Sequence, residues 1–472
     1  MSNSGAHLLV FPYPAQGHMI PLLDLTHQLA ARGLTITILV TPKNLPFLNP
    51  LLSSHPTSIT PLVLPFPPHP AIPAGVENTV DLPASGFRSM MAALSDLDDP
   101  ILRWFRSHPT PPSAMVSDMF LGWTHRLACQ LGIRRYAFFP SGAFAISFIN
   151  SLWREMPRRI NPGDDNEMVR VSNNPSSPIY PWWQLSPVFR SYVKGDPVSE
   201  FIRDLMLCNE ASYGLLFNTF DGLEGVHLDY LAKELGHDRV WSIGPVLLPG
   251  PTERGGSSSV SPSEIHSWLD TCQDHSVVYV CFGSQAVLTN AQMKELTLGL
   301  EKSGAKFILS VKGATRGHDN NGEDYGHIPA GFEDRVAGRG LLIKGWAPQV
   351  LVLQHRAVCA FLTHCGWNSA LESIVAGVPM LAWPMGADQY LNATLLVDQL
   401  GVALRVCQGA ETVLDSDDLV QFVAETTSGK WAERRARAMA LSKAARNAIT
   451  EGGTSFNNLD GFARHLSQNC PP

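Results

Sequence analysis

The feature that most constrains this chain lies near its start. His7 to Phe11 is a short apolar run, broken by the loop Pro12-Tyr13-Pro14-Ala15-Gln16-Gly17. From His18 onward the apolar residues Ile20, Leu22, Leu23, Leu25, Leu29 and Ala30 fall at helical spacing, Gly33 ends that pattern, and Leu34 to Val40 is apolar again. Strand, helix and strand within about 35 residues make a βαβ unit, which commits the chain to a parallel sheet covered by helices. Ala114 to Val116 and Tyr136 to Phe139 read as later strands of the same sheet.

The pattern then stops and restarts. Residues 245–262, beginning after Gly244, are rich in Pro, Gly and Ser and read as a linker. Beyond them Ser276 to Phe282 is apolar and β-branched. It is followed by Gly283-Ser284, a helical stretch near Gln292 to Ser303 and a strand at Lys306 to Val311. Lys312 to Gly326 is rich in Gly, Asn and Asp and is expected to be a mobile loop; Gly340 to Lys344, Ala357 to Thr363 and Met380 to Ala382 are further strands. No sequence repeat links the halves; what repeats is the α/β architecture. Ligands of such folds bind at the carboxyl ends of the strands, so a cleft between the halves is the expected site.

Bulk properties narrow the function. A chain of 472 residues with 44% hydrophobic content holds two domains with cores of their own. A formal net charge of -7 gives no electrostatic case for nucleic acid or an anionic membrane. There is no secretory signal pattern in MSNSGAHLLVF and no uninterrupted apolar run of about 18 residues, so neither export nor a membrane span is expected. The eight cysteines form no CxxC pair, which favours reduced thiols and a cytoplasmic setting.

The chemistry concentrates in residues 346–389, WAPQVLVLQHRAVCAFLTHCGWNSALESIVAGVPMLAWPMGADQ. The strand Ala357 to Thr363 runs through His364-Cys365-Gly366 into a helix that lasts to about Ala376. A strand passing through a glycine turn into a helix start is an anion site, because the first turn offers unpaired N–H groups and the positive end of the dipole. His364, Asn368 and Ser369 add side-chain donors. Glu372 is placed to accept from sugar hydroxyls, Trp346 offers a flat face for a base, and Asp388 and Gln389 can each take two hydroxyls. Ser369 and Glu372 also match a structural capping box, S-x-x-E.

This block resembles the signature box of the plant secondary-product glycosyltransferases, the UDP-dependent family with the GT-B fold: two Rossmann-like α/β domains facing each other across a cleft. WAPQ, HCGWNS, Glu372, GVP and Asp388-Gln389 all stand in place; Cys359 departs from the family's usual glycine, with a packing effect expected. PAQGH near the start and the Val-Ser-Asp118 segment also fit. The resemblance implies that residues 1–244 bind the acceptor, 263–455 bind the UDP-sugar, and 456–472 form a helix packing back on the first domain. It implies that Trp346 and the Ala347 backbone hold uracil, and that Gln349 and Glu372 serve the nucleoside. His364, Asn368, Ser369 and Ser284 would hold the diphosphate, and Trp367, Asp388 and Gln389 the sugar, with Ser141 and Ser310 as weaker donor contacts. Gln389 at the last position favours glucose.

The box contains no base, and an acceptor hydroxyl must lose its proton. His18 sits at a helix N-terminus after the first strand, where imidazolium is disfavoured, and Asp118 follows another strand that reaches the same end of the sheet. The family uses this His and Asp as a pair, which implies an inverting displacement with His18 as base and Asp118 behind it. Phe120, Phe144, Phe148 and Trp183 suit a flat phenolic or flavonoid acceptor, and equally suit a core.

The expected partners are a UDP-sugar and a small hydroxylated acceptor, with no metal, no cofactor and no nucleic acid. A monomer is the expectation, although no residue pattern fixes the oligomeric state. The triplets Asp96-Leu-Asp98 and Asp415-Ser-Asp417 follow no apolar strand, and the second reads as a helix cap. His355, Cys359, His364 and Cys365 follow no standard zinc spacing. The competing readings are transfer of rhamnose, xylose or galactose, a nucleotide-sugar isomerase or hydrolase, and a UDP-sugar binder without turnover.

Overall fold

The structure is a computed structural model that describes residues 6–82, 86–172, 174–175, 178–247, 258–312 and 326–468. Most of the linker expected at 245–262 and of the loop expected at 312–326 lies outside these residues. Two compact units emerge: residues 1–247 with 447–472, and residues 248–446.

The first unit carries β1 His7–Phe11, β2 Thr35–Val40, β3 Ile59–Val63, β4 Ala114–Asp118, β5 Arg134–Phe139, β6 Met168–Arg170, β7 Ile179–Pro181, β8 Gly214–Phe217 and β9 Val240–Ser242. Seven of them form one sheet in the order β3-β2-β1-β4-β5-β8-β9, all parallel, while β6 and β7 pair antiparallel. Parallel strands are covered on both faces, which is why β1 and β5 read as near-continuous apolar runs. The helix Gln16–Ala31 lays Leu22, Leu25 and Leu29 against Leu8, Val10, Ile36 and Ile38. Each of those three leucines is fully buried and contributes about 1.5–3 kcal/mol relative to an exposed side chain.

The chain's last helix, Thr454–Gln468, belongs to this unit. Leu459, Phe462, Ala463 and Leu466 join its core, Phe462 meets Tyr136 edge-on at 5.0 Å, and Asn458 donates to the Ser242 carbonyl at 3.0 Å.

The second unit carries β10 Val277–Cys281, β11 Lys306–Val311, β12 Gly340–Lys344, β13 Val358–Thr363, β14 Met380–Ala382 and β15 Ala403–Arg405, in the parallel order β12-β11-β10-β13-β14-β15. Its core packs Leu296 and Leu300 of the helix Asn290–Ser303 against β10 and β11, with Trp383 and Trp431 filling the far side. Trp431 is fully buried, and its indole N–H donates to the Cys359 carbonyl at 3.1 Å.

Strand order fixes where each unit's site must lie. In the first sheet the order reverses between β1 and β4, and in the second between β10 and β13. Connections leave such a neighbouring pair toward opposite sides and open a crevice at the carboxyl ends. His18 follows β1 and Asp118 ends β4. Gly283 and Ser284 follow β10, and His364 follows β13.

Candidate active site

In the first unit β1 and β4 run in register with Phe11 opposite Ser117, which brings Asp118 beside the start of the next helix. That helix begins at Gln16, slightly before the expected start at His18, so His18 occupies its first turn. His18 Nδ1 lies 2.8 Å from Asp118 Oδ2. The other carboxylate oxygen accepts from the Phe120 N–H at 2.8 Å. Asp118 is fully buried, whereas the His18 side chain keeps 18% of its surface exposed. A carboxylate only accepts, so the Nδ1 N–H donates to Asp118 and Nε2 is the ring nitrogen left outside that contact.

Aromatic rings hold the imidazole in place. Phe120 stacks on His18 at 4.7 Å between centroids, and Tyr13 meets it edge-on at 5.6 Å. Burial and the nearby Asp118 push the Tyr13 hydroxyl well above the usual phenol range, so it stays protonated and donates to the Phe87 carbonyl at 3.3 Å.

The remaining acceptor candidates divide. Phe120 and Trp183 are half-buried. Phe144 and Phe148 are 1% exposed and pack against His227 and Tyr180, at 4.9 and 5.1 Å. Their helix, Ala143–Glu155, is buried from Ala143 to Trp153, so these two rings are core side chains rather than a surface for a ligand.

Ser141 precedes that same helix and is buried. The helix start is already occupied by an anion from the chain itself: buried Glu224 accepts from the Ala143 and Phe144 N–H groups at 2.9 and 2.8 Å. Glu224 reaches them through a non-helical turn (φ -136°) inside the helix Asp221–Leu235. A carboxylate there opposes a diphosphate, which weakens Ser141 as a donor contact.

The second unit's strand ends are built differently. The helix Trp367–Ala376 has Gly366 as its N-cap, a residue with no side chain to offer. Ser369 is the third residue of that helix, so the S-x-x-E capping box is not formed; the helix begins before it. His364 is wedged between two glycines: a Cβ on Gly283 would come within 2.6 Å of its Nε2, and one on Gly366 within 2.5 Å. Burial lowers its pKa to about 4, so the imidazole is neutral near pH 7. Cys365 takes a positive φ of 62° to make the turn, and Asn392 donates to its carbonyl at 3.0 Å. The result is a helix dipole and neutral donors, where an anion can settle.

Around it stand the other candidates. Gln349 donates to Ser369 Oγ at 2.9 Å and to Glu372 Oε2 at 2.6 Å, while Tyr279 donates to Gln349 Oε1 at 3.3 Å. Tyr279 gave no signal in the sequence beyond being apolar strand. Trp346, Ser284, Asn368 and Asp388 are half-buried; Ala347, Trp367 and Ser310 are buried. Gln389 differs from its expected role. Its Oε1 accepts from the Met385 and Gly386 N–H groups at 2.9 and 3.0 Å, which uses both lone pairs and leaves the NH₂ for a ligand.

The triplets with metal-like spacing serve the backbone. Asp415 caps the helix Ser416–Glu425 by accepting from Asp417 N–H at 2.8 Å, and Asp98 accepts from Asp99 N–H at 2.6 Å. Cys359 is buried with its thiol on the Val277 carbonyl. Among the described residues, His266, Asp270 and His355 bring ligand atoms within 4.8 Å of one another. The Ala357 N–H donates to His355 Nδ1 at 3.2 Å, which places the His355 proton on Nε2, facing Asp270 rather than a cation.

Residues 256–447 match the family "UDP-glucoronosyl and UDP-glucosyl transferase". The chain is 56% identical over 467 residues to UDP-glycosyltransferase 89B2 of Stevia rebaudiana, covering 98% of each. It is 55% identical to flavonol 3-O-glucosyltransferase UGT89B1 of Arabidopsis thaliana, covering 98% of this chain and 96% of the other. The chain belongs to the UDP-glycosyltransferase family. Among solved structures, Arabidopsis thaliana UGT89C1 complexed with UDP-L-rhamnose matches with a TM-score of 0.81 and 39% identity, covering 98% of this chain and 99% of the other. The same protein complexed with quercetin gives 0.79 and 37%, covering 98% and 100%. The two parallel α/β units of this glycosyltransferase are those of the GT-B fold. The family match contains every donor candidate from Ser284 to Gln389, whereas His18 and Asp118 fall in the part matched by the full-length relatives.

Proposed function

We propose that this UDP-glycosyltransferase transfers glucose from UDP-glucose to a hydroxyl of a flavonol or related phenol, with inversion at the anomeric carbon. The observation that carries the proposal is the 2.8 Å contact between His18 and Asp118 at the carboxyl ends of β1 and β4. His18 Nε2 takes the proton of the acceptor hydroxyl as its oxygen bonds to the anomeric carbon. The bond from that carbon to the diphosphate oxygen breaks, and UDP leaves with the electron pair. Asp118 stabilises the imidazolium that forms. The helix start at Gly366, with His364, Asn368 and Ser369, stabilises the departing diphosphate without a metal. Trp346 stacks on the base, and Gln349 and Glu372 serve the nucleoside.

The relatives support a flavonol acceptor by name: one is a flavonol 3-O-glucosyltransferase, and quercetin is bound in a UGT89C1 structure. The more similar of these is a glucosyltransferase, and Gln389 offers an NH₂ at the sugar end. UDP-L-rhamnose in the 39% identical UGT89C1, and a 40% identical flavonol 7-O-rhamnosyltransferase of Arabidopsis thaliana, favour another sugar. Free thiols, several of them buried, suit a cytoplasmic setting, and among the described residues no helix is long and apolar enough to cross a membrane.

A mass-spectrometric screen of phenols and flavonols against UDP-glucose, UDP-rhamnose, UDP-xylose and UDP-galactose tests the reading. Glucoside formation that is fastest with UDP-glucose and unaffected by EDTA is expected. UDP binding with no product across the panel would sink it in favour of a binder.

A further inference from the structure

We infer that Arg135 is a positioning residue for the His18–Asp118 pair: its guanidinium fixes the end of β4 and offsets the carboxylate's charge. The inference rests on the reading of His18 as the base.

Arg135 lies on β5, next to β4, and is 1% exposed. Its Nε donates to Ser117 Oγ at 2.8 Å and its two NH₂ groups to Ser212 Oγ at 2.6 Å, Asn209 Oδ1 at 3.0 Å and the Asp118 carbonyl at 3.2 Å. All four acceptors are neutral. A buried cation with neutral partners persists only where an anion lies close by. Asp118, itself fully buried, is that anion. Burial lowers the guanidinium to about 9, while Cys208 and Asp118 hold it up, so it stays charged at neutral pH. The Cys208 thiol is pushed up by burial and by Asp204, so it contributes no charge there.

The same contacts set geometry. Ser117 and Asp118 are gripped at the strand end, and Asn209 also donates to the Met119 carbonyl at 2.8 Å. The following turn runs so close to the helix Pro197–Glu210 that a Cβ on Gly122 would lie 1.9 Å from the Leu205 carbonyl. Among the described residues, the titratable groups coupled to Asp118 are Tyr13, kept protonated, and Arg135. Behind Arg135 lie Cys208, His125, whose imidazolium burial and Arg135 disfavour, and the Arg126–Asp204 pair, joined at 2.5 Å. Removing the Arg135 charge leaves Asp118 unopposed. Whichever of His18 and Asp118 takes the next proton, the pair takes it at higher pH.

The experiment compares the full-length wild type with Arg135→Gln, Arg135→Lys and Asn209→Asp. Asn209→Asp keeps the guanidinium and sets an anion on it. Two readouts are used: kcat/KM against pH with UDP-glucose and a flavonol, and the NMR titration of the His18 ring, assigned with His18→Gln. Arg135→Gln and Asn209→Asp are expected to move the acid limb and the ring midpoint up by about one pH unit, and Arg135→Lys to restore most of it. A folded Arg135→Gln or Asn209→Asp protein whose midpoint stays put, or whose kcat/KM falls equally at all pH values, overturns the inference. If Arg135→Gln does not fold, Asn209→Asp decides alone. Near-normal turnover of His18→Gln would overturn the base reading instead, and the ring titration would still report the charge coupling.

Discussion

Gln349 and Glu372 are joined by a 2.6 Å hydrogen bond, from an amide nitrogen to a carboxylate oxygen on the second turn of the helix Trp367–Ala376. The bond fixes one Glu372 oxygen. On the proposed function, Glu372→Ala removes a partner of the nucleoside and leaves the Gln349 amide with Ser369 Oγ as its remaining acceptor. Affinity for UDP should fall about tenfold or more, a loss near 1.4 kcal/mol, while KM for the acceptor changes little. Calorimetric titration of UDP and steady-state kinetics check both halves.

Gly283 is irreplaceable for two separate reasons. Its φ of +76° disfavours any side chain, and a Cβ would press on His364 Nε2 at 2.6 Å. Gly283→Ala should displace the imidazole and weaken UDP binding at least tenfold, with the first unit's chemistry untouched. A UDP affinity equal to wild type in the folded variant would mean that His364 does not hold the diphosphate.

The thiol of Cys359 packs on the Val277 carbonyl in a closed core. Cys359→Gly opens that space and loosens a strand. It should cost about 1–2 kcal/mol of stability with kcat unchanged. Denaturant unfolding and turnover at saturating substrate test the two claims separately.

Much of the fold was legible in sequence because parallel sheets bury both faces, so β1, β4, β10 and β13 show as apolar runs closed by loops. His18 and Asp118 could be placed at strand ends for that reason, and the box supplied the candidate donor groups. Contacts made between distant segments were not legible. Glu224 reaches Ala143 from a broken helix, Arg135 looks like any charged residue beside a strand, and the Gln389 oxygen is consumed by a turn that no pattern announces. The capping box failed because local spacing cannot show that Gly366 had already begun the helix. Phe144 and Phe148 are buried, and an aromatic pattern is the same for a core and for a pocket.

Acid should weaken the fold before the carboxylates titrate. Burial holds His364 at about 4, and His7, His27, His125, His227, His237 and His465 also lie below the ordinary value of 6.5. The unfolded chain then binds more protons than the folded one below about pH 6.5, so this stability is complete above that pH and is lost as pH falls toward each folded value. Glu210, pushed up by burial, opposes the trend. Urea midpoints should fall steadily from pH 7 to pH 5, and His364→Asn should flatten part of the slope. A midpoint that is level over that range would contradict the assignment of neutral buried imidazoles.

The most direct test of the account is the turnover of His18→Ala with UDP-glucose and a flavonol at pH 7.5, product counted by mass spectrometry, beside Asp118→Asn. Loss of the base should lower kcat by about 10²- to 10⁴-fold, and loss of the charge behind it should lower kcat in the same direction, with UDP affinity intact in both. Near-normal turnover by His18→Ala would contradict the central claim that this imidazole deprotonates the acceptor.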